Sequence, residues 1–144
     1  MQRFKQTDDA DTNQDSIFAG MHILAAEDNE LNAEILEAML EMAGATCEIC
    51  ENGARVLKAF LNSRPGQYDL ILMDVQMPEM NGYEAARAIR KSDHEMAGII
   101  PIIAMTANAF TEDIQNAMKS GMNAHVSKPL DMTILEETVR NIIL

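Results

Sequence analysis

Five short apolar runs, each separated from the next by a stretch of helical period, constrain this chain more than any other feature. The runs are Met21 to Ala26, about Thr46 to Glu51, Leu70 to Met73 with Asp74 at the end, Ile99 to Met105 with Pro101 near its start, and Ala124 to Ser127. The first helical pattern is Leu31, Ile35, Met39 and Met42, stopped by Gly44, and the second is Val56, Leu57, Phe60 and Leu61, ending before Arg64-Pro65-Gly66. A third runs from Gly82 to Lys91 with Ala85, Ala86 and Ile89 on its buried side. A fourth follows Thr111 as N-cap through Ile114, Ala117 and Met118 to Gly121, and a fifth runs from Met132 to Ile143. This alternation predicts an α/β domain built on a five-stranded parallel sheet with helices on both faces. Right-handed crossovers leave few topologies, and the flavodoxin-like strand order 2-1-3-4-5 is the expected one.

Such a sheet gathers its loops, and therefore its ligands, at the carboxyl edge of the strands. The 144 residues suffice for one domain, expected over residues 21–144 behind a polar linker or flexible tail at residues 1–20. A formal net charge of -12 repels phosphate backbones and anionic lipid, which argues against direct nucleic-acid or membrane contact by this domain. No run reaches the roughly 18 apolar residues of a membrane span and the first residues lack a signal-peptide core, so a cytoplasmic location is expected. Cys47 and Cys50 spell Cys-x-x-Cys, but on a strand residues three apart face opposite ways about 10 Å apart, too far for a disulfide. They are expected to be two core thiols.

At the carboxyl edge, Glu27 and Asp28 follow strand one, Asp74 ends strand three, Thr106 follows strand four and Lys128 follows strand five. Strands one and three are neighbours in the expected order, so three carboxylates converge and repel. A hard divalent cation resolves that repulsion: Mg²⁺, with Mn²⁺ as a substitute, favours oxygen ligands and is commonly held by one or two carboxylates plus a phosphate. Phosphoryl chemistry follows, because a phosphoryl group in flight needs its equatorial oxygens neutralised more than it needs covalent help. Asp74 is the expected nucleophile, with Mg²⁺, the Lys128 ammonium and the Thr106 hydroxyl each taking one oxygen.

Glu27-Asp28-Asn29, the stretch from Met73 to Gly82, Met105-Thr106-Ala107, and the stretch His125-Val126-Ser127-Lys128-Pro129 together resemble the receiver domains of two-component response regulators. The motifs fall in the family's order over about Met21 to Leu144. The resemblance implies that Asp74 accepts a phosphoryl group from a phosphohistidine on a histidine kinase transmitter or a histidine phosphotransfer protein. It implies that Glu27, Asp28, Asp74 and the Gln76 carbonyl bind the metal, directly or through water, and that Lys128-Pro129 is cis. Thr106 and His125 become a switch pair that moves the face made by helix four, strand five and helix five.

Three details depart from the commonest pattern. Glu27 stands where Asp is frequent, and its extra methylene favours a water-mediated metal contact. His125 stands where Tyr or Phe is frequent. Gln76 and Asn108 occupy positions that tune phosphate lifetime in the family. Asp28-Asn29-Glu30-Leu31-Asn32 and the phrase from Met105 to Ala109 resemble receivers fused to sensor kinases, so the chain is expected to be part of a hybrid histidine kinase. The alternatives are a stand-alone regulator, or a degenerate receiver that only binds a partner. A dehalogenase-like phosphatase would need a second Asp where Gln76 sits, and a dinucleotide site would need Gly-x-Gly-x-x-Gly where Glu27-Asp28-Asn29-Glu30 stands.

Overall fold

A computed structural model of the chain describes residues 16–107 and 111–143. Strands β1 (His22–Ala26), β2 (Thr46–Cys50), β3 (Leu70–Asp74), β4 (Ile102–Thr106) and β5 (Ala124–Ser127) alternate with helices α1 (Glu30–Met42), α2 (Gly53–Leu61), α3 (Gly82–Lys91), α4 (Thr111–Lys119) and α5 (Met132–Ile143). The strands form one parallel sheet in the order β2-β1-β3-β4-β5, the order expected from the alternation.

The uninterrupted apolar runs are explained by burial on both faces. Along β1, Ile23 and Ala25 face one core with Leu36 and Leu40 of α1 and Leu135 and Val139 of α5. Leu24 and Ala26 face the other, with Val56 and Phe60 of α2, Ile89 of α3 and Ala117 of α4. Every residue of β3 and β4 is buried. With both faces closed, the polar ends of the strands are where chemistry remains possible.

Three helices begin on asparagine caps at that edge. Asn29, Asn52 and Asn81 accept backbone N–H bonds at 2.9 Å from Asn32, Arg55 and Glu84, satisfying donors that each helix start would otherwise leave unpaired. Asn81 and Glu84 form a reciprocal capping box, which fixes where α3 departs from the loop after β3.

The structure corrects several sequence expectations. The tail expected through Gly20 ends sooner: Phe18 is buried with the α1 and α5 core, and the Gly20 N–H donates to the Gly44 carbonyl at 2.9 Å. Strand four begins at Ile102 rather than Ile99, which is exposed, because Pro101 has no N–H for the ladder. Thr111 is itself helical in α4 rather than its cap. In α1 the stripe of Leu31, Ile35 and Met42 faces out and Leu36 and Leu40 face in. The helix is apolar on two adjoining stripes, and spacing alone does not choose between them.

Cys47 and Cys50 are free and lie on opposite sides of the sheet, packed against the two different cores. Burial, together with the charges of Glu37 and Glu41, pushes the Cys47 thiol up to about 11. At pH 8 only about one Cys47 in a thousand is then thiolate, against roughly a quarter of ordinary thiols with a pKa near 8.5. Carbamidomethylation by iodoacetamide at pH 8, followed by mass spectrometry, should run about 100-fold slower at Cys47 than at a solvated cysteine. Modification at the free-cysteine rate would contradict this burial.

Candidate functional site

Parallel register assembles the site. Ala26 pairs with Met73, so Glu27 and Asp28, one and two residues beyond β1, stand beside Asp74 at the end of β3. Asp74 pairs with Met105, and Thr106 with Ser127, which carries Thr106 and Lys128 to the same edge. The Lys128 N–H donates to the Thr106 carbonyl at 2.7 Å, tying the start of the β5–α5 loop to β4. The Lys128-Pro129 bond is cis, as the resemblance implied.

The Lys128 ammonium sits between two buried carboxylates. It donates to Asp74 Oδ2 at 2.7 Å and to Glu27 Oε1 at 3.1 Å. Burial works against its charge, but hydrogen bonds and charge from Asp74 and then Glu27 outweigh that and hold Lys128 above the ordinary lysine value. The second oxygen of each acid is also engaged. Gln76 N–H donates to Asp74 Oδ1 at 3.1 Å, and Asn29 N–H donates to Glu27 Oε2 at 3.1 Å. Glu27, whose extra methylene favours a water-mediated metal contact, is in direct contact with Lys128, a pairing that sequence spacing did not reveal.

Asp28 completes the acid group. Carboxylate oxygens of Glu27, Asp28 and Asp74 lie within 4.8 Å of one another, with Asp28 exposed and the other two buried. An octahedral Mg²⁺ binds oxygens at about 2.1 Å, placing opposite ligands about 4.2 Å apart. The donor set is all oxygen, anionic, of suitable span and open to solvent on one side, so it fits a small hard cation that keeps several waters. Next to it Thr106 is buried, and among the described residues its hydroxyl has no hydrogen-bond partner. An unpaired buried hydroxyl costs about 1–3 kcal/mol, which marks a site built to receive an acceptor.

Two glycines hold the loop after β3 close. A Cβ at Gly82 would collide with the Asp74 carbonyl oxygen and lie 2.9 Å from Val75 Cα. Gly82 lacks a positive φ, so its role is room for α3 to approach the strand end rather than backbone freedom. The left-handed position in this loop is Glu79, at φ 68°. His125 is half-buried on β5, paired in register with Ala104 and lining a shallow cavity with Ser127, Asp131 and Ile134. It is outside the acid group. Asn108 lies outside the described residues.

An open, doubly covered parallel sheet carrying three carboxylates, a lysine and a hydroxyl without a partner among the described residues at its carboxyl edge is the frame of an α/β domain with a candidate cation site there. Residues 23–140 match the family model for the response regulator receiver domain, and the chain belongs to that family. A probable histidine kinase 2 of rice is 36% identical over 142 residues, covering 91% of this chain but 14% of the relative. The chain thus spans about one seventh of that protein. The receiver domain of a sensor histidine kinase from Pseudomonas aeruginosa, solved with a magnesium ion in its active site cleft, is 37% identical with a TM-score of 0.76. It covers 87% of this chain and 98% of that one. The receiver domain of an Arabidopsis thaliana histidine kinase, complexed with Mg²⁺ and BeF₃⁻, is 30% identical with a TM-score of 0.77 and covers 89% and 93%. Among the described residues no helix is long and apolar enough to cross a membrane.

Proposed function

We propose that Asp74 accepts a phosphoryl group from a phosphohistidine on a histidine kinase transmitter or histidine phosphotransfer protein. The observation that carries this is the Asp74 carboxylate itself: it is fixed on one oxygen by Gln76 N–H and on the other by Lys128, beside two further acids. An Asp74 oxygen attacks phosphorus, the P–N bond breaks with its electron pair going to the imidazole, and an acyl phosphate forms. Lys128 turns from the carboxylate to a phosphoryl oxygen, and the Thr106 hydroxyl, which has no partner among the described residues, donates to another. Glu27, Asp28, Asp74 and the Gln76 carbonyl would hold Mg²⁺, which when bound would neutralise charge on the acids and on the transferring group.

Filling the Thr106 hydroxyl draws the end of β4 inward, and His125, on the neighbouring strand, follows, which shifts the face formed by α4, β5 and α5. The relatives place receivers like this one within much longer histidine kinases, and a hybrid sensor kinase is the parent protein we propose.

Incubation with phosphoramidate and Mg²⁺ should add one phosphoryl group by intact mass, stable in acid and labile in base. No mass gain under these conditions would reject the reading. Asp28→Asn should weaken Mg²⁺ binding at least about tenfold in calorimetric titration and slow labelling in parallel, since it removes the exposed acid through which the cation enters. Unchanged titration would remove Asp28 from the site.

A further inference from the structure

The turn between β2 and α2 carries no titratable or nucleophilic group toward the site, yet it touches both halves of it. On one side the Cys50 carbonyl accepts the Glu27 N–H at 2.9 Å, immediately before Asp28. On the other the Gly53 N–H donates to the Met80 carbonyl at 3.2 Å, in the loop that also carries Gln76. A Cβ on Gly53 would lie 2.5 Å from that Met80 oxygen, 3.2 Å from the Asn81 oxygen and 3.1 Å from Ala85 Cβ. Gly53 has no positive φ, so nothing in its backbone conformation requires glycine. At the first position of a helix alanine would ordinarily be the better residue. What excludes it here is the loop pressed against it.

We propose that Gly53 is a positioning residue: the Cys50 to Gly53 turn clasps the β1–α1 acids and the β3–α3 loop together, setting the separation between Asp28 and the Gln76 carbonyl. This rests on the reading of the acid group as a Mg²⁺ site. Asp74 is the last residue of β3, and Asp28 directly follows Glu27, which the Cys50 carbonyl holds. Gln76 lies past the end of β3 on an exposed loop that includes the left-handed Glu79. On one side it is held by its own N–H to Asp74 and by Val75, whose N–H donates to the Met105 carbonyl at 3.2 Å and whose carbonyl accepts the Gly82 N–H at 3.3 Å; on the far side of the loop the hold is the Gly53 clasp. Adding a methyl group at Gly53 pushes the Met80 carbonyl away and carries the loop outward with it.

Calorimetric titration with Mg²⁺ of the whole chain, of Gly53→Ala and of Val56→Ala tests this. Val56 is fully buried one turn further along α2, so its truncation loosens the helix without adding an atom at the clasp. Gly53→Ala should bind Mg²⁺ at least about tenfold more weakly, as supporting groups around metal ligands typically do when disturbed. Val56→Ala should lower Tm but keep the affinity within about twofold. In the unaltered protein, Mg²⁺ should also slow hydrogen exchange at the Gly53 amide more than at the Arg55 amide, which is held by the Asn52 cap alone. That measurement stands even where Gly53→Ala fails to fold. Wild-type affinity in Gly53→Ala, equal weakening in Val56→Ala, or a Gly53 amide indifferent to Mg²⁺ would overturn the proposal. If the unaltered chain gives no Mg²⁺ binding at all, the cation-site reading fails first and the clasp loses its object.

Discussion

Asp74→Asn should lower phosphoryl uptake from phosphoramidate by at least about 10³-fold while leaving the protein folded, because a carboxamide keeps the shape of the side chain and loses the nucleophilic charge. Stability should change little. The substitution weakens one charge-assisted hydrogen bond from Lys128, worth about 1.5–3 kcal/mol. It also relieves repulsion among three carboxylates held within 4.8 Å, which acts in the opposite direction. A net change of no more than about 2 kcal/mol is expected, well short of unfolding a domain of this size. Thermal unfolding and intact-mass labelling on the same sample therefore separate lost chemistry from lost structure. Equal labelling of the variant would move the acceptor away from Asp74, and Thr106 would be the first residue to examine next.

The strands and their order were legible because burial on both faces demands uninterrupted apolar runs, and few sequences other than central strands supply them. The acids and Lys128 were legible for a related reason: a charged residue directly after such a run has little structural excuse. What escaped reading depends on distances between segments far apart in the chain. Glycine in Asn52-Gly53 and Asn81-Gly82 looks the same whether it permits positive φ or makes room for a neighbour, and both positions turned out to need room. The Glu27 to Lys128 contact spans 101 residues, a separation that no local spacing encodes. Phe18 sits in a polar stretch whose composition reads as tail, although its ring closes the core between α1 and α5. The outward stripe of α1 was misassigned because Leu36 and Leu40 compete with Leu31 and Ile35 at the same spacing, and only the docked sheet decides between them.

Lys128→Met should separate the two positive charges on which the site depends. Without Mg²⁺ the variant leaves Glu27 and Asp74 facing each other without a counter-charge. Breaking a fully buried pair costs about 3–5 kcal/mol, and the Lys128 side chain is 27% exposed, so about 2 kcal/mol is the expected loss. At this size that lowers Tm by roughly 4–8 °C. The difference from the unaltered protein should depend on pH with a definite sign. Lys128 is held above the ordinary value of 10.5, so its stabilising effect is complete below that value and fades as pH rises through the higher folded one. Mg²⁺ should bind the variant about tenfold more tightly, because a cation entering the acid group no longer meets the ammonium. Phosphoryl uptake should nevertheless fall by about 10²- to 10³-fold, because no ammonium remains to meet the phosphoryl oxygen that Mg²⁺ does not take. Tighter metal binding combined with slower phosphorylation is the signature of a lysine that serves the transferring group rather than the cation. Weaker Mg²⁺ binding in Lys128→Met, or labelling at the unaltered rate, would show that Lys128 is a structural counter-ion for Glu27 and Asp74 and nothing more.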